Sequence, residues 1–152
     1  MENPDAVEMA LWFHDIVYSP DTEFNELKSA ELFERMASGN FAPEFVAAVR
    51  KLILATEHRQ TPDCCDEPYI VDIDLSSFGL SWEEYMRDNR ALREEMKPMP
   101  DAQYYAGKLK FLQSLLARER IYSTEFFFDR YESRARSNIK RFVEGLAKEN
   151  IL

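Results

Sequence analysis

The sequence is short of glycine: 4 residues in 152 leave little material for tight hairpin turns, which favours helices over a strand-rich fold. It is equally short of cysteine. The two present, Cys64 and Cys65, are adjacent, and neighbours in sequence rarely meet disulfide geometry. No second pair exists to build a zinc site, so the fold is expected to stand without staples, in a reducing cytoplasm. No apolar run approaches the roughly 20 residues that a membrane span needs. The opening Met1-Glu2-Asn3-Pro4-Asp5 carries neither a basic nor an apolar stretch, so no secretory signal is expected. Positive charge is scarce as well, with 19 Lys and Arg against 28 Asp and Glu. The resulting net charge of −9 repels phosphate backbones and anionic lipid, so neither a nucleic-acid nor a membrane partner is expected.

What the chain does have is a globular composition, 45% hydrophobic and 13% aromatic, which separates it from disordered sequences. Its length suits one domain with a real core and is too short for two comfortable ones, so residues 1–152 are expected to form a single helical domain. Punctuation predicts about seven helices. Asn3 before Pro4 predicts an N-cap with proline at the first helical position, opening a helix that runs towards Tyr18. Ser19-Pro20-Asp21 breaks it. A second helix is predicted from about Glu26 to Ala37, stopped at Ser38-Gly39-Asn40 with Gly39 as a left-handed cap. A third starts near Pro43 and carries Phe45, Val46, Val49, Leu52, Ile53 and Thr56 on one face.

After a polar loop from Gln60 to Pro68, a short helix from about Tyr69 to Ser77 ends at Gly79. Ser81 and Glu84 are spaced as a capping box and open a fifth helix to about Met96. Pro98-Met99-Pro100-Asp101 is a rigid break, with Asp101 as the cap of a sixth helix to about Arg118. A last amphipathic helix begins at Ser123-Thr124 and runs through Tyr131, Ala135, Ile139, Phe142 and Leu146. No alternating pattern is long enough to build a sheet, and no repeat or linker is visible. The expected fold is all-α, a compact bundle.

Two positions on these helices bear chemistry. At about 100° per residue, Val7, Leu11, His14 and Tyr18 share a narrow face of the first helix, which sets His14 in an apolar stripe. A lone histidine there is usually a core residue bonded to a backbone carbonyl. Here Asp15 follows directly, and an adjacent His and Asp can both reach one cation. On the fourth helix, Asp74 nearly shares the mean direction of Ile70, Val71, Ile73, Leu75 and Phe78. A carboxylate on an apolar face is costly unless a metal, a cation or a dense hydrogen-bond set receives it, and a cap or bridge to a neighbouring helix is the plain alternative. Asp72 points to the opposite side and is expected at the surface. His58, the only other histidine, falls off the apolar stripe of the third helix, whose direction Thr56 occupies; a surface position is the plainer reading, and a reach into a site from the frayed helix end stays open. Arg59 and Lys28 offer positive charge for a phosphate, though solvated basic residues account for both.

Taken in order, these residues resemble the HD superfamily of metal-dependent phosphohydrolases, and in particular a small bacterial branch of it. The resemblance rests on Ala10-Leu11-Trp12-Phe13-His14-Asp15-Ile16-Val17-Tyr18, on Asn25-Glu26 with Ser29-Ala30, and on Leu52-Ile53-Leu54-Ala55-Thr56 before His58. It continues through Asp72-Ile73-Asp74-Leu75 with Gly79, Arg120-Ile121-Tyr122 and Ala135-Arg136-Ser137-Asn138, so it spans most of the chain. It implies a helical bundle around one or two divalent cations. His14, Asp15 and Asp74 would be the metal ligands, His58 a further ligand or general acid/base, and Glu26 a supporting group in catalysis. Imidazole with carboxylate suits manganese, iron, nickel or zinc better than calcium, and magnesium also stays open. The implied substrate is a small phosphorylated molecule such as a nucleotide or phosphomonoester, with a cation-acidified water as the attacking group.

Two features depart from that pattern. HD proteins carry a further histidine on a helix ahead of the His-Asp pair, and no histidine precedes His14. A start internal to a longer reading frame, loss of the first helix and decay of the site each account for this. A missing first helix would also expose apolar surface that a homodimer partner could cover. Arg59 follows His58 where members of the branch often carry a second histidine. The alternative to an enzyme is accordingly a catalytically silent HD-like domain that serves as a binding or interaction module.

Overall fold

A computed structural model of the protein describes residues 1–19, 24–63 and 65–148. The break expected at Pro20-Asp21, and Cys64, lie outside the described residues; Cys65 is exposed. Among the described residues the chain forms seven α-helices and one 3₁₀ turn with no strand, so the all-α expectation holds. No helix among them is long and apolar enough to cross a membrane. The backbone divides into two compact units, Met1–Asp74 and Leu75–Leu152.

In the first unit, α1 (Pro4–Phe13) starts as its sequence dictates, with the Asn3 side chain accepting from the Ala6 amide at 3.1 Å and Pro4 at the first position. The buried Asp66 carboxylate accepts from the amides of Glu2 and Asn3 at 2.6 and 2.7 Å, placing negative charge at the positive end of the helix. The helix stops at Phe13 rather than running towards Tyr18. The cause lies on α2 (Asn25–Ala37). Its Ser29 hydroxyl bonds both the amide and the carbonyl of Val17, and its Asn25 amide group does the same for Ser19, so these backbone groups are withdrawn from the helical ladder.

Gly39 ends α2 with φ +78°, the left-handed conformation its sequence position predicts. The third helix, α3 (Pro43–Ala55), buries Val49, Leu52 and Ile53 and packs against α1 and α2, while α4 (Glu67–Asp74) packs on α1 and α3. No residue of α4 is exposed, and Asp72 is completely buried. Its expected surface position is therefore incorrect. Asp72 shares the buried side of α4 with Ile70 and Val71, while Glu67, Tyr69, Ile73 and Asp74 keep partial exposure.

In the second unit a 3₁₀ turn (Leu75–Gly79) precedes α5 (Trp82–Glu95), α6 (Asp101–Ala117) and α7 (Glu125–Lys148). The capping box forms in both directions, with the Glu84 amide donating to Ser81 Oγ and the Ser81 amide to Glu84 Oε2. Asp101 does not cap α6. It is the first helical residue, Pro100 occupies the cap, and the carboxylate is drawn away by the Arg93 guanidinium. The turn lies so close to α7 that a Cβ on Gly79 would sit 2.4 Å from Tyr131 Cβ. Asn138 donates from α7 to the carbonyls of Phe78 and Leu80, and the Tyr122 hydroxyl donates to that of Leu75.

Candidate metal centre

His14, Asp15, His58 and Asp74 meet within the Met1–Asp74 unit. His14 caps the end of α1, and its Nδ1 lies 2.8 Å from the Leu11 carbonyl. A carbonyl only accepts, so Nδ1 carries a proton and the ring is locked with Nε2 turned to the carboxylates. Nε2 stands 3.3 Å from Asp15 Oδ2 and 3.4 Å from Asp74 Oδ1, the latter on the last residue of α4. His14 and Asp74, picked out by helical phase, and Asp15, picked out as the neighbour of His14, are thus brought together.

His58 joins them from beyond the end of α3 at Ala55, the reach that its place at a helix end allowed, rather than taking the plainer surface position. His58 itself adopts a left-handed backbone with φ +56°, which turns its imidazole back onto α4. Its side chain is 9% exposed, and Nε2 lies 2.6 Å from Asp74 Oδ2. A non-glycine residue held at positive φ is strained, and such strain clusters at functional sites.

The electrostatics follow from this crowding. The Asp74 carboxylate, with Asp15 beside it, raises the His14 pKa to about 9 against the pull of burial. Burial pushes Asp74 up, and the two histidines overcome it and hold the carboxyl at about 2. Asp15 is the open member, with its side chain 60% exposed against 19% for His14. Glu26, in the first turn of α2, stands at the margin of the cluster. Its pKa is raised chiefly by burial, with the Asp15 and Glu57 charges adding and its own backbone amide and Arg59 opposing. Arg59 is exposed and lies 3.7 Å from Glu57, and Lys28 is exposed.

Two donors each about 2.1 Å from one cation at the tetrahedral angle lie about 3.4 Å apart. His14 Nε2 has that spacing to each carboxylate in turn. Yet among the described residues no group of three or more His, Cys, Asp or Glu side chains is arranged to hold a metal ion. The donor chemistry and the pairwise spacings fit a cation, while the three donors do not close on one point. As they stand, the four side chains form an ion-pair cluster around a protonated His14. The sequence reading passed over Asp66, which ties the start of α1 to the segment entering α4; no helical period marks it, because it lies in a loop. No protein-family model, no curated protein and no solved structure matches the chain.

Proposed function

We propose that the chain is a metal-dependent phosphohydrolase of HD type, acting on a small phosphorylated molecule such as a nucleotide or phosphomonoester. One observation carries this reading: His14, Asp15, His58 and Asp74, from three separate stretches of sequence, converge with His14 Nε2 3.3–3.4 Å from two carboxylates. His14, Asp15 and Asp74 would hold the cation, of manganese, iron, nickel, zinc or magnesium type. The chemistry a bound cation supplies is an acidified water and a polarised phosphoryl oxygen. The Leu11 carbonyl orients the His14 ring, a contact that typically fixes a metal-binding tautomer. His58 holds Asp74 Oδ2 in place and can exchange a proton at Nε2, and Glu26, with its raised pKa, is a proton carrier at the margin.

Elemental analysis of the purified chain, with a phosphatase and phosphodiesterase panel in manganese, tests the reading. Bound metal and hydrolysis that are both lost in Asp74→Ala support it, and neither metal nor turnover in the wild type sinks it. A second reading, a catalytically silent HD-like binding module, is favoured by the absence of a formed three-ligand cage among the described residues. On that reading Asp74→Ala changes stability and nothing else. In either case the proposed setting is a bacterial cytoplasm, without nucleic acid as a stable partner. The exposed Trp12, Ile16, Tyr18 and Phe41 support a homodimer, which sedimentation equilibrium would reveal.

A further inference from the structure

The second unit holds a cavity of about 330 Å³ lined from α5, α6 and α7, within the range of small-molecule pockets. Its electrostatics run against those of the chain. In a protein of net charge −9 its lining carries Arg90, Arg93 and Lys108 with a single acid, Glu94. That acid is engaged by Lys97 at 2.7 Å, and Arg93 is engaged by Asp101. Lys108 has a different environment. Its Nζ lies 5.5 Å from the centre of the Tyr104 ring, 5.3 Å from that of Phe142, and 3.3 Å from the Tyr104 hydroxyl. Burial lowers its pKa to about 8.

Polar capacity is also left unspent at this place. Asn89 lines the cavity at 7% exposure, and its Nδ2 donates to the Tyr85 carbonyl while its Oδ1 has no hydrogen bond. The Tyr85 hydroxyl is likewise buried without one; Asn89 acts on it from outside hydrogen-bonding geometry, and burial holds the phenol at about 12. Buried polar atoms are nearly always bonded, so two such exceptions on adjacent turns of one helix call for a partner.

Each feature specifies part of a ligand. The desolvated ammonium, with Arg90 nearby, calls for an anion; the Tyr104 and Phe142 rings call for a flat apolar body; Asn89 Oδ1 calls for a donor. We propose that this cavity binds a small planar aromatic anion bearing a hydrogen-bond donor on its ring. Asn89 Oδ1 is closed to solvent, so meeting the donor requires the Asn89 side chain to turn towards the cavity it lines. No residue of this cavity belongs to the candidate metal centre, and either assignment can fail alone.

The test is an NMR titration of the full chain with 4-aminobenzoate, benzoate and aniline. The expected result is strongest binding for 4-aminobenzoate, with amide shifts centred on Asn89, Arg90 and Lys108. Lys108→Met should weaken it about tenfold, the loss of a charge-assisted contact, without lowering Tm. Arg90→Gln, at an exposed position, should weaken it by a smaller factor of about two to five. The proposal is overturned if aniline or benzoate binds as tightly as 4-aminobenzoate, if no probe shifts these amides, or if Lys108→Met leaves the affinity unchanged.

Discussion

The two units each bring a carboxylate and cationic partners together, and they use them differently. In the second unit the buried Glu132 accepts from the amides of Ile121 and Tyr122 and from Arg136 Nε at 2.6–3.1 Å. Arg136 in turn donates to the carbonyls of Leu116, Arg118 and Glu119, satisfying carbonyls at and just beyond the end of α6. Apart from their mutual ion pair, both side chains bond to the backbone, which makes the pair a lock on the segment between α6 and α7. In the first unit Asp74 spends its two oxygens on two imidazoles, and the cluster ends in the open Asp15. Only the first unit's cluster retains a carboxylate that solvent reaches freely, with Asp15 60% exposed against 10% for Glu132.

The comparison can be broken first at the lock. Glu132→Ala removes the acceptor of two buried amides and leaves Arg136 without its counter-ion, so it should cost about 3–5 kcal/mol, read as a lower midpoint in urea. A loss below about 1 kcal/mol would place Glu132 among ordinary surface ion pairs.

In metal-free protein the His14 pKa is raised from 6.5 to about 9, which corresponds to about 3 kcal/mol. A raised pKa means that the folded state holds the proton more tightly. The contribution is complete below pH 6.5 and lost as pH climbs through 9. For Asp74, lowered from 3.8 to about 2, the contribution is present above pH 3.8 and lost as pH falls through 2. The two describe one shared interaction and do not add. Urea midpoints for the wild type and His14→Gln from pH 5 to 10 should therefore converge at the alkaline end; parallel curves would remove His14 as the titrating group.

A milder effect is expected where the turn meets α7. Gly79→Ala sets a Cβ against Tyr131 and should cost about 1–3 kcal/mol through overpacking, visible as a lowered Tm. The smallest effect belongs to Asp15→Asn. With that side chain largely exposed, the loss of stability should stay under about 1 kcal/mol, yet metal affinity should fall at least tenfold if Asp15 is a ligand. Equal metal binding by the variant would assign Asp15 to the surface.

The parts legible in the sequence were those governed by local rules. Asn3 with Pro4, Gly39 and the Ser81–Glu84 box each act within a few residues, and each does what its sequence predicts. His14 and Asp74 were legible because helical phase exposes a polar group on an apolar face, and Asp15 because it adjoins His14; the family resemblance, not phase, grouped the three. Periodicity left His58 open between the surface and a site, because its orientation comes from a left-handed turn that no helical period records. Asp72 was misjudged because the buried side of α4 includes it together with Ile70 and Val71, which the wheel placed opposite to it. The Glu132 lock was missed although its signal was present. Residues 132, 135, 139, 142 and 146 follow the spacing of one buried stripe, so a charge at the first position invites the same question that Asp74 did.

On the proposed reading, the first unit's cluster is a cation site occupied by a proton when metal is absent. Calorimetric titration of the metal-free chain with manganese or zinc at pH 7.5, repeated in two buffers of different ionisation enthalpy, measures this directly. Because His14 is protonated there and a metal requires its Nε2 lone pair, binding should release about one proton per cation and should disappear in Asp74→Asn. Absence of binding, or binding without proton release, would contradict it.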